Sequence, residues 1–380
     1  ERVFGLGGLA TLGNVTVYLP LCDGFGHQVI GGLGEELLLR SVQDLRRPDP
    51  ALGFVPPPAC WQSGGSEAER AAKRYEARFN PFAFQLELEA LCTEAGVDIG
   101  YDTRVCACLT EKSRITHVIV ENKDGRCAFA CGCVIDASGD ADVCALVGEK
   151  TESLDNNVLA GWHYALVDGV PQLRMMTRRP NPTGGREDAE GPFFRGDCAH
   201  DVTAHLLQTR AWLRSRLASS RAEHPEIDVQ PLSLGSIPSF RMTRRLVSSW
   251  SLDVSHDHVW FEDCIGMCAH WWKRGPLYGL PYRAILGERN VNLFAVGRCM
   301  SSDRSVWDLT RVIPVCAVTG EAAGTAAALA VQVTGGDAHT VPIRLLQERL
   351  RAQGAIIDSR LFFERFHQTE VLGEAPVGQH

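Results

Sequence analysis

Apolar and polar positions along the chain follow several distinct rhythms. From 31 to 40, "GGLGEELLLR" has helical apolar spacing and a basic end, which predicts a short helix after a glycine loop. The stretch 42–80 is rich in proline, glycine and charge and reads as surface loop. From 80 to 95, "NPFAFQLELEALCTEAG" predicts a second helix. Asn80 is its N-cap, Pro81 its first residue and Gly96 its stop. Between 97 and 134, β-branched runs alternate around the breaks "EKS" and "NKDG", the pattern of a small antiparallel meander. That meander feeds "CGCVIDASGD", an apolar run ending in a turn, and then the helical "ADVCALVG". Strand, glycine turn and helix build a ligand crevice at the carboxyl end of a sheet.

The texture changes over 151–280, where Trp162, Trp212, Trp250, Trp260, Trp271 and Trp272 fall among histidines with irregular spacing. This part is expected to form a second, mixed α+β domain facing the substrate. After "LPYRAIL" the α/β rhythm returns in "VNLFAVGRCMSSD", a buried strand ending in glycine. The segment "RVIPVCAVTGEAAGTAAALAVQVTGG" is a helix of small residues stopped by Gly335 and Gly336, and "VPIRLLQERLRAQGA" an amphipathic helix. The expected organisation is one α/β domain from 1–150 and 281–345, a second domain at 151–280, and a C-terminal helix and tail over 346–380.

Composition narrows the partners. The 380 residues are 45% hydrophobic and 22% charged, ordinary for a soluble globular protein. A net charge of −8 gives no electrostatic reason for nucleic acid or an anionic membrane as partner. No continuous apolar run reaches the roughly 18 residues of a membrane span. The fourteen cysteines are scattered, several within apolar runs (Cys106, Cys133, Cys144, Cys316), and read as packed thiols. With no signal peptide visible, the expected location is cytoplasmic.

Candidate chemistry begins with a decoy. Gly5, Gly7 and Ala10 satisfy the G-x-G-x-x-[GA] spacing of a dinucleotide-binding loop. Only four residues precede them, too few for the required strand, and "TLGNVTVYLP" behind them argues against a long helix. In "VTGEAAG", Gly320, Ala323 and Gly324 let a backbone or a flat ligand come close, and the N-terminus of their helix carries partial positive charge; tight structural packing explains the same residues. Gly139 permits a tight turn whose neighbours Asp136, Asp140 and Asp142 can accept hydroxyl hydrogen bonds, although a capped helix accounts for Asp140 equally well. Arg298, directly after an apolar strand, offers a planar fork to phosphate oxygens. His256, His258 and His270 are candidate proton donors or packing residues. With Cys264 and Cys268 they have loosely ligand-like spacing, but no C-x-x-C pair occurs and the second half looks helical, so no metal is expected.

"ERVFGLGGLAT", "CVIDASGDADV", "SFRMTRRLV", "LPYRAIL", "LFAVGRCMS" and "RVIPVCAVTGEAAGTAAALA" occur in an order that resembles the FAD-dependent oxidoreductases of the glutathione-reductase-like superfamily, over nearly the whole chain. The resemblance implies FAD as cofactor and a Rossmann-like FAD-binding domain interrupted by the meander. It implies that Glu1 ends the second strand and holds the adenosine ribose, with Arg2 beside it. Gly7, Gly8 and Thr11 then lie near the pyrophosphate and flavin, and Val105 gives a backbone contact to adenine. Ala137, Ser138, Gly139 and Asp140 match the conserved turn. Gly297, Arg298, Arg311, Val312, Gly320, Glu321 and Gly324 match the flavin-binding block, with Glu321 where glutamine is also common. The family's own G-x-G-x-x-G unit, about 30 residues, is expected before Glu1, so the chain reads as N-terminally truncated. Arg241, Arg244 and Arg245 match an arginine-rich block that suits a substrate-carboxylate clamp or a salt-bridged interface. The expected reaction moves a hydride between a small organic substrate and FAD, with Arg241, Arg244 and His258 as catalytic candidates and an electron acceptor that the sequence does not name. The competing class is a truncated or degenerate relative that keeps the fold as a non-catalytic binding module. Oligomeric state is not set by any of these features.

Overall fold

The computed structural model describes residues 1–363 apart from 46, 47, 50, 51 and 63, so the expected tail from 364 onward lies outside the described residues. The glycine-rich opening forms a single 3-10 turn, Gly8–Ala10, entered through Gly7 at φ 94°, with no strand before it and no α-helix after it. β1 (Val17–Tyr18) pairs antiparallel with β2 (Ala77–Arg78). α1 (Leu33–Arg40) and α2 (Glu67–Ala72) lie between them, the latter closed by a Ser66–Glu69 capping box. The stretch 42–80, expected as surface loop, instead anchors itself in the core. Tyr75 and Phe79 are fully buried, and Trp61 stacks on Tyr75 with ring centroids 5.0 Å apart. Widely spaced aromatics in polar surroundings show no period, which is why the pattern hid them. α3 (Pro81–Glu94) forms as expected: Asn80 Oδ1 accepts from the Phe82 N–H (3.0 Å), and Gly96 leaves at φ 72°.

β3 (Arg104–Glu111), β4 (Arg114–Asn122) and β5 (Gly125–Ala130) form the antiparallel meander in that order. β6 (Val134–Asp136) then leads through a turn into α4 (Asp142–Leu146) and β7 (Thr151–Ser153). β8 (Ala160–Val167) and β9 (Val170–Thr177) make a hairpin. After the long α5 (Ala199–Glu223), β10 (Val229–Leu234) adds to the other edge of β8. β11 (Arg244–Leu246) returns to pair with β7. β12 (Cys264–Ala269) and β13 (Leu277–Pro281) form a hairpin, and β14 (Leu293–Ala295) pairs in parallel with β6. α6 (Arg304–Thr310), α7 (Ile313–Val333), α8 (Ile343–Ala352) and the short α9 (Arg360–Phe363) complete the described chain. The architecture is mixed α/β. One expectation is corrected: "CIGMCA", read as helical, is strand β12, and every one of its residues is buried. A strand covered on both faces loses its alternation and cannot be told from a helix by period.

α7 is the packing axis, meeting α1, β12 and α8. Ala322, Ala323, Ala326 and Ala330 have no exposed surface. By length and composition alone α7 is long and apolar enough to cross a membrane, contrary to the estimate from continuous apolar runs, but 56% of that window is buried in the fold. Gly266 lets β12 come this close: a Cβ there would stand 2.3 Å from Val318 Cγ1. β6 has one open edge. The Val134 N–H donates to Asn292 O (2.9 Å) and the Val296 N–H to Asp136 O (3.1 Å), so the N–H and C=O of Ile135 point away from β14. No strand pairs on that side among the described residues, and Ile135 is 37% exposed. Replacing Gly266 with alanine drives a methyl into the β12–α7 contact, and urea titration is expected to show about 1–3 kcal/mol of lost stability.

Candidate active site

The turn after β6 is held from inside. The buried Asp136 carboxylate accepts from the Ser138 N–H (3.0 Å), the Ser138 hydroxyl (2.6 Å) and the Cys144 N–H (2.9 Å). Gly139, at φ 77°, lets Arg298 close over it, since a Cβ would lie 2.6 Å from Arg298 Nη2. Arg298 donates through Nε to Gly139 O (3.0 Å), through Nη1 to Phe240 O (2.5 Å) and through Nη2 to Asp140 Oδ1 (3.1 Å). The guanidinium expected to face phosphate is thus engaged by protein oxygens. The Thr243 hydroxyl donates to the same Asp140 Oδ1 (2.6 Å).

The arginine block divides. Arg244 donates through Nε to Asp140 O (2.8 Å) and through Nη2 to Asp142 Oδ1 (2.6 Å), and its Nη1 lies 3.8 Å from Asp197. Arg245 pairs with Glu152 at 2.5 Å. Both tie β11 to its neighbours, so Arg244, a catalytic candidate from sequence, is a structural clasp whose donors are already matched. Arg241 differs. Its N–H donates to Asn157 Oδ1 (2.9 Å), but among the described residues no hydrogen bond or ion pair reaches its guanidinium. Burial pushes its pKa down to about 10, the neighbouring Arg311 adds to the fall, and Asp308 opposes it. Asp308 cannot neutralise it alone: Oδ1 accepts from Arg311 Nε (3.0 Å) and Oδ2 from Trp271 Nε1 (3.2 Å).

Arg241 faces a cleft shared with Asn156, Pro180, Ser239 and Asp308, about 360 Å³ counted to its open mouth. The Asn156 side chain is 8% exposed, and its Oδ1 is buried with no donor. A second cleft of similar size, about 370 Å³, lies between β8 and α5 and is lined by Trp162, Leu206, Leu213 and Ile237 among others. Ala160 and Ser239 line both. Both clefts are shallow and open to solvent, and neither has room for a dinucleotide. Sequence reasoning missed Asn156, Ser239 and Asp308. The adjacent amides of Asn156 and Asn157 ahead of an apolar strand were the available signal.

α7 begins at Ile313, about two turns before Gly320, so the helix N-terminus lies at Val312 rather than at the glycines. Val312 supplies no side-chain cap, which leaves the first-turn N–H groups without intrahelical acceptors. Gly320 and Gly324 lie inside the helix with open space where a Cβ would stand. Glu321 has a structural role across the core: its Oε2 accepts from the Leu33 N–H (3.0 Å) at the start of α1. Burial raises the Glu321 pKa, partly offset by that N–H. Gly297, at φ 58°, donates its N–H to Thr319 Oγ1 (2.9 Å) beside α7.

The remaining candidates scatter. Glu1 accepts the Thr103 N–H at its carbonyl (2.9 Å), next to the strand carrying Val105, while Arg2 is exposed. Val105 packs against the cluster of Ala141, Cys144 and Cys299 behind the 137–140 turn. Thr11 is buried and its hydroxyl donates to Leu6 O, within the turn that Gly7 and Gly8 open. His258 sits 2.8 Å from Asp257 and does not line the Arg241 cleft. Burial, with Lys273 beside it, pushes His270 down to about 4, so its ring is neutral at pH 7 and unsuited to donate a proton as imidazolium. All fourteen cysteines are free, and among the described residues no three metal-ligating side chains converge.

A parallel strand pair with a glycine turn, and a small-residue helix that begins just after Arg311, stand together in a mixed α/β scaffold. The chain belongs to the FAD dependent oxidoreductase family, whose model matches residues 1–161 and 213–350. Its cofactor is FAD. No curated protein sequence matches the chain. Similar solved structures include an L-proline dehydrogenase from P. horikoshii (12% identity, 75% of this chain and 63% of that one, TM-score 0.30). A geranylgeranyl bacteriochlorophyll reductase-like protein from Thermoplasma acidophilum has 12% identity, 80% and 68% coverage and a TM-score of 0.36. A p-nitrophenol 4-monooxygenase from Pseudomonas putida has 10% identity, 78% and 65% coverage and a TM-score of 0.34. The chain spans about 63% of the dehydrogenase's length. At such TM-scores these are distant likenesses, and family membership stands on the family model.

Glu321 generates a pH prediction. Because its pKa is raised on folding, its contribution is most favourable at low pH and is lost as pH rises from the ordinary carboxylate value through the folded one. Glu321→Gln keeps an acceptor for Leu33. Urea titrations from pH 4 to 7 are expected to show a smaller loss of stability with rising pH in the variant than in the parent.

Proposed function

We propose that this protein transfers a hydride between a small organic substrate and FAD, with Arg241 binding the substrate. FAD, when bound, supplies the two-electron redox chemistry. The residues present suit it: the uncapped first turn of α7, with Arg311 immediately before it, offers positive potential to an anionic flavin edge, and Gly297 and Val312 flank that end. The open space at Gly320 and Gly324 and the unpaired edge at Ile135 support a further strand-and-helix unit packing there, the place expected for the phosphate-binding G-x-G-x-x-G segment. The carrying observation is the Arg241 guanidinium, enclosed and without a protein acceptor while its neighbours Arg244, Arg245 and Arg298 are all engaged. Arg241 would orient the substrate, and the neutral amide of Asn156 would accept a hydrogen bond from it.

The engagement of Arg298 by protein oxygens favours the competing reading, a non-catalytic binding module. Colour separates the two. Full-length protein is expected to purify yellow, with flavin bands that bleach on dithionite reduction. A colourless protein that takes up no FAD on reconstitution would establish the module instead. In the yellow protein, Arg241→Met is expected to raise KM at least about tenfold, with partial rescue by Arg241→Lys; an unchanged KM would remove Arg241 from the substrate site.

A further inference from the structure

We infer that Asp308 is a positioning residue that sets the charge beside the flavin. As the one carboxylate shared by Arg241 and Arg311, it fixes Arg311 at the start of α7 and leaves the cluster a single net positive charge. The inference takes the flavin's place at that helix end from the proposed function; the cluster itself is a property of this chain.

Asp308 is 4% exposed and lies in α6, three residues ahead of Arg311. Its Oδ1 accepts from Arg311 Nε (3.0 Å) and from Arg311 Nη2, which ties the end of α6 to the residue ahead of the uncapped first turn of α7. Its Oδ2 accepts from Trp271 Nε1 (3.2 Å), in the segment that joins β12 to β13. The Trp271 carbonyl accepts in turn from Arg74 Nη1, so the residue that holds Asp308 is itself pinned. Arg241 shares a cleft with Asp308 and Asp308 is the carboxylate that opposes its charge. Burial alone would raise the Asp308 pKa, but Arg311, Arg241 and the Trp271 donor together hold it below the ordinary carboxylate value. Asp308 is therefore ionised at neutral pH.

Two guanidinium groups against one carboxylate leave one positive charge, and the surroundings do not cancel it. His270 is neutral at pH 7, burial pushes the Cys316 thiol up and keeps it uncharged, and Arg298 is paired with Asp140. In an enclosed place a unit charge acts on its neighbours more strongly than in water. Positive charge there favours reduced over oxidised FAD, and Asp308 sets how much of it is left.

Potentiometric titration of the FAD-loaded full-length protein tests this with charge variants. Asp308→Asn adds one positive charge and is expected to favour reduced FAD about tenfold, a rise of about 30 mV for a two-electron couple. Arg311→Met removes one and is expected to lower the potential by a similar amount. Joined in one chain, the two substitutions restore the parent's net charge, and the potential is expected to return close to the parent value. A merely structural role for Asp308 predicts the opposite, a double variant more disturbed than either single one. Asp308→Glu keeps the charge and is expected to stay near the parent. If Asp308→Asn does not fold, Arg311→Met and the charge-restoring double variant decide by the same criteria. Unchanged potentials, single variants that shift the same way, or a double variant displaced further than either would overturn the inference. A colourless protein that takes up no FAD overturns the proposed function and this inference with it, whereas a yellow protein whose potential ignores these charges overturns this inference alone.

Discussion

The carboxylate of Asp140 is the point at which three separate parts of the chain are joined. Thr243 and Arg298 both donate to its Oδ1, and Arg244 donates to its backbone carbonyl. The first lies immediately before β11 and the third opens it, and the second comes from the segment after β14. A negative charge this well enclosed is tolerable only with such donors around it, and each donor is useful only if the turn at Gly139 keeps its left-handed geometry. The turn therefore sets the distance between the parallel strand pair and the arginine-bearing strand. Everything proposed for the site depends on that distance, because Arg241 lies just ahead of the residues that make the clasp.

A second constraint comes from size rather than charge. The axis formed by α7 is lined with alanines on the sides it buries, and Gly266 removes the last atom that would keep β12 away from Val318. Close packing of small side chains lets the helix serve two directions at once. Its N-terminus opens near Arg311, and its first turns reach Leu33 through Glu321, which closes the start of α1. Tight packing on one side coexists with open space at Gly320 and Gly324 on the other. The same helix is thus both the core of what is described and an unfilled surface.

The arginine block shows how a motif can be right in composition and divided in role. Arg241, Arg244 and Arg245 are nearly adjacent, yet the first faces a cleft and the others face carboxylates. Arg241 stands in a bend ahead of β11 whereas Arg244 and Arg245 belong to the strand, and the positions of Asp140, Asp142, Asp197 and Glu152 decide which arginine is left without a partner. His258 and His270 illustrate the reverse: both suggest proton chemistry by residue type, but one lies away from the cleft and the other is kept neutral by burial.

Local order was legible in the sequence wherever a residue and its neighbours settle the matter. Asn80, Pro81 and Gly96 bound α3, the broken β-branched runs make the meander, and "GLGGLA" runs into a single 3-10 turn and not a long helix. The blocks that carry the family resemblance were equally plain, because they are contiguous. What only the tertiary structure decided were the long-range pairings: Tyr75 and Phe79 in the core, "CIGMCA" as a buried strand, Arg298 on Gly139 and Asp140, Arg241 beside Asn156 and Asp308. Caps, turns and periodicity depend on φ, ψ and a few adjacent atoms, which sequence encodes directly. Partnering of charges and the burial of aromatics depend on which distant segments meet, and that is settled by the packing of the whole chain.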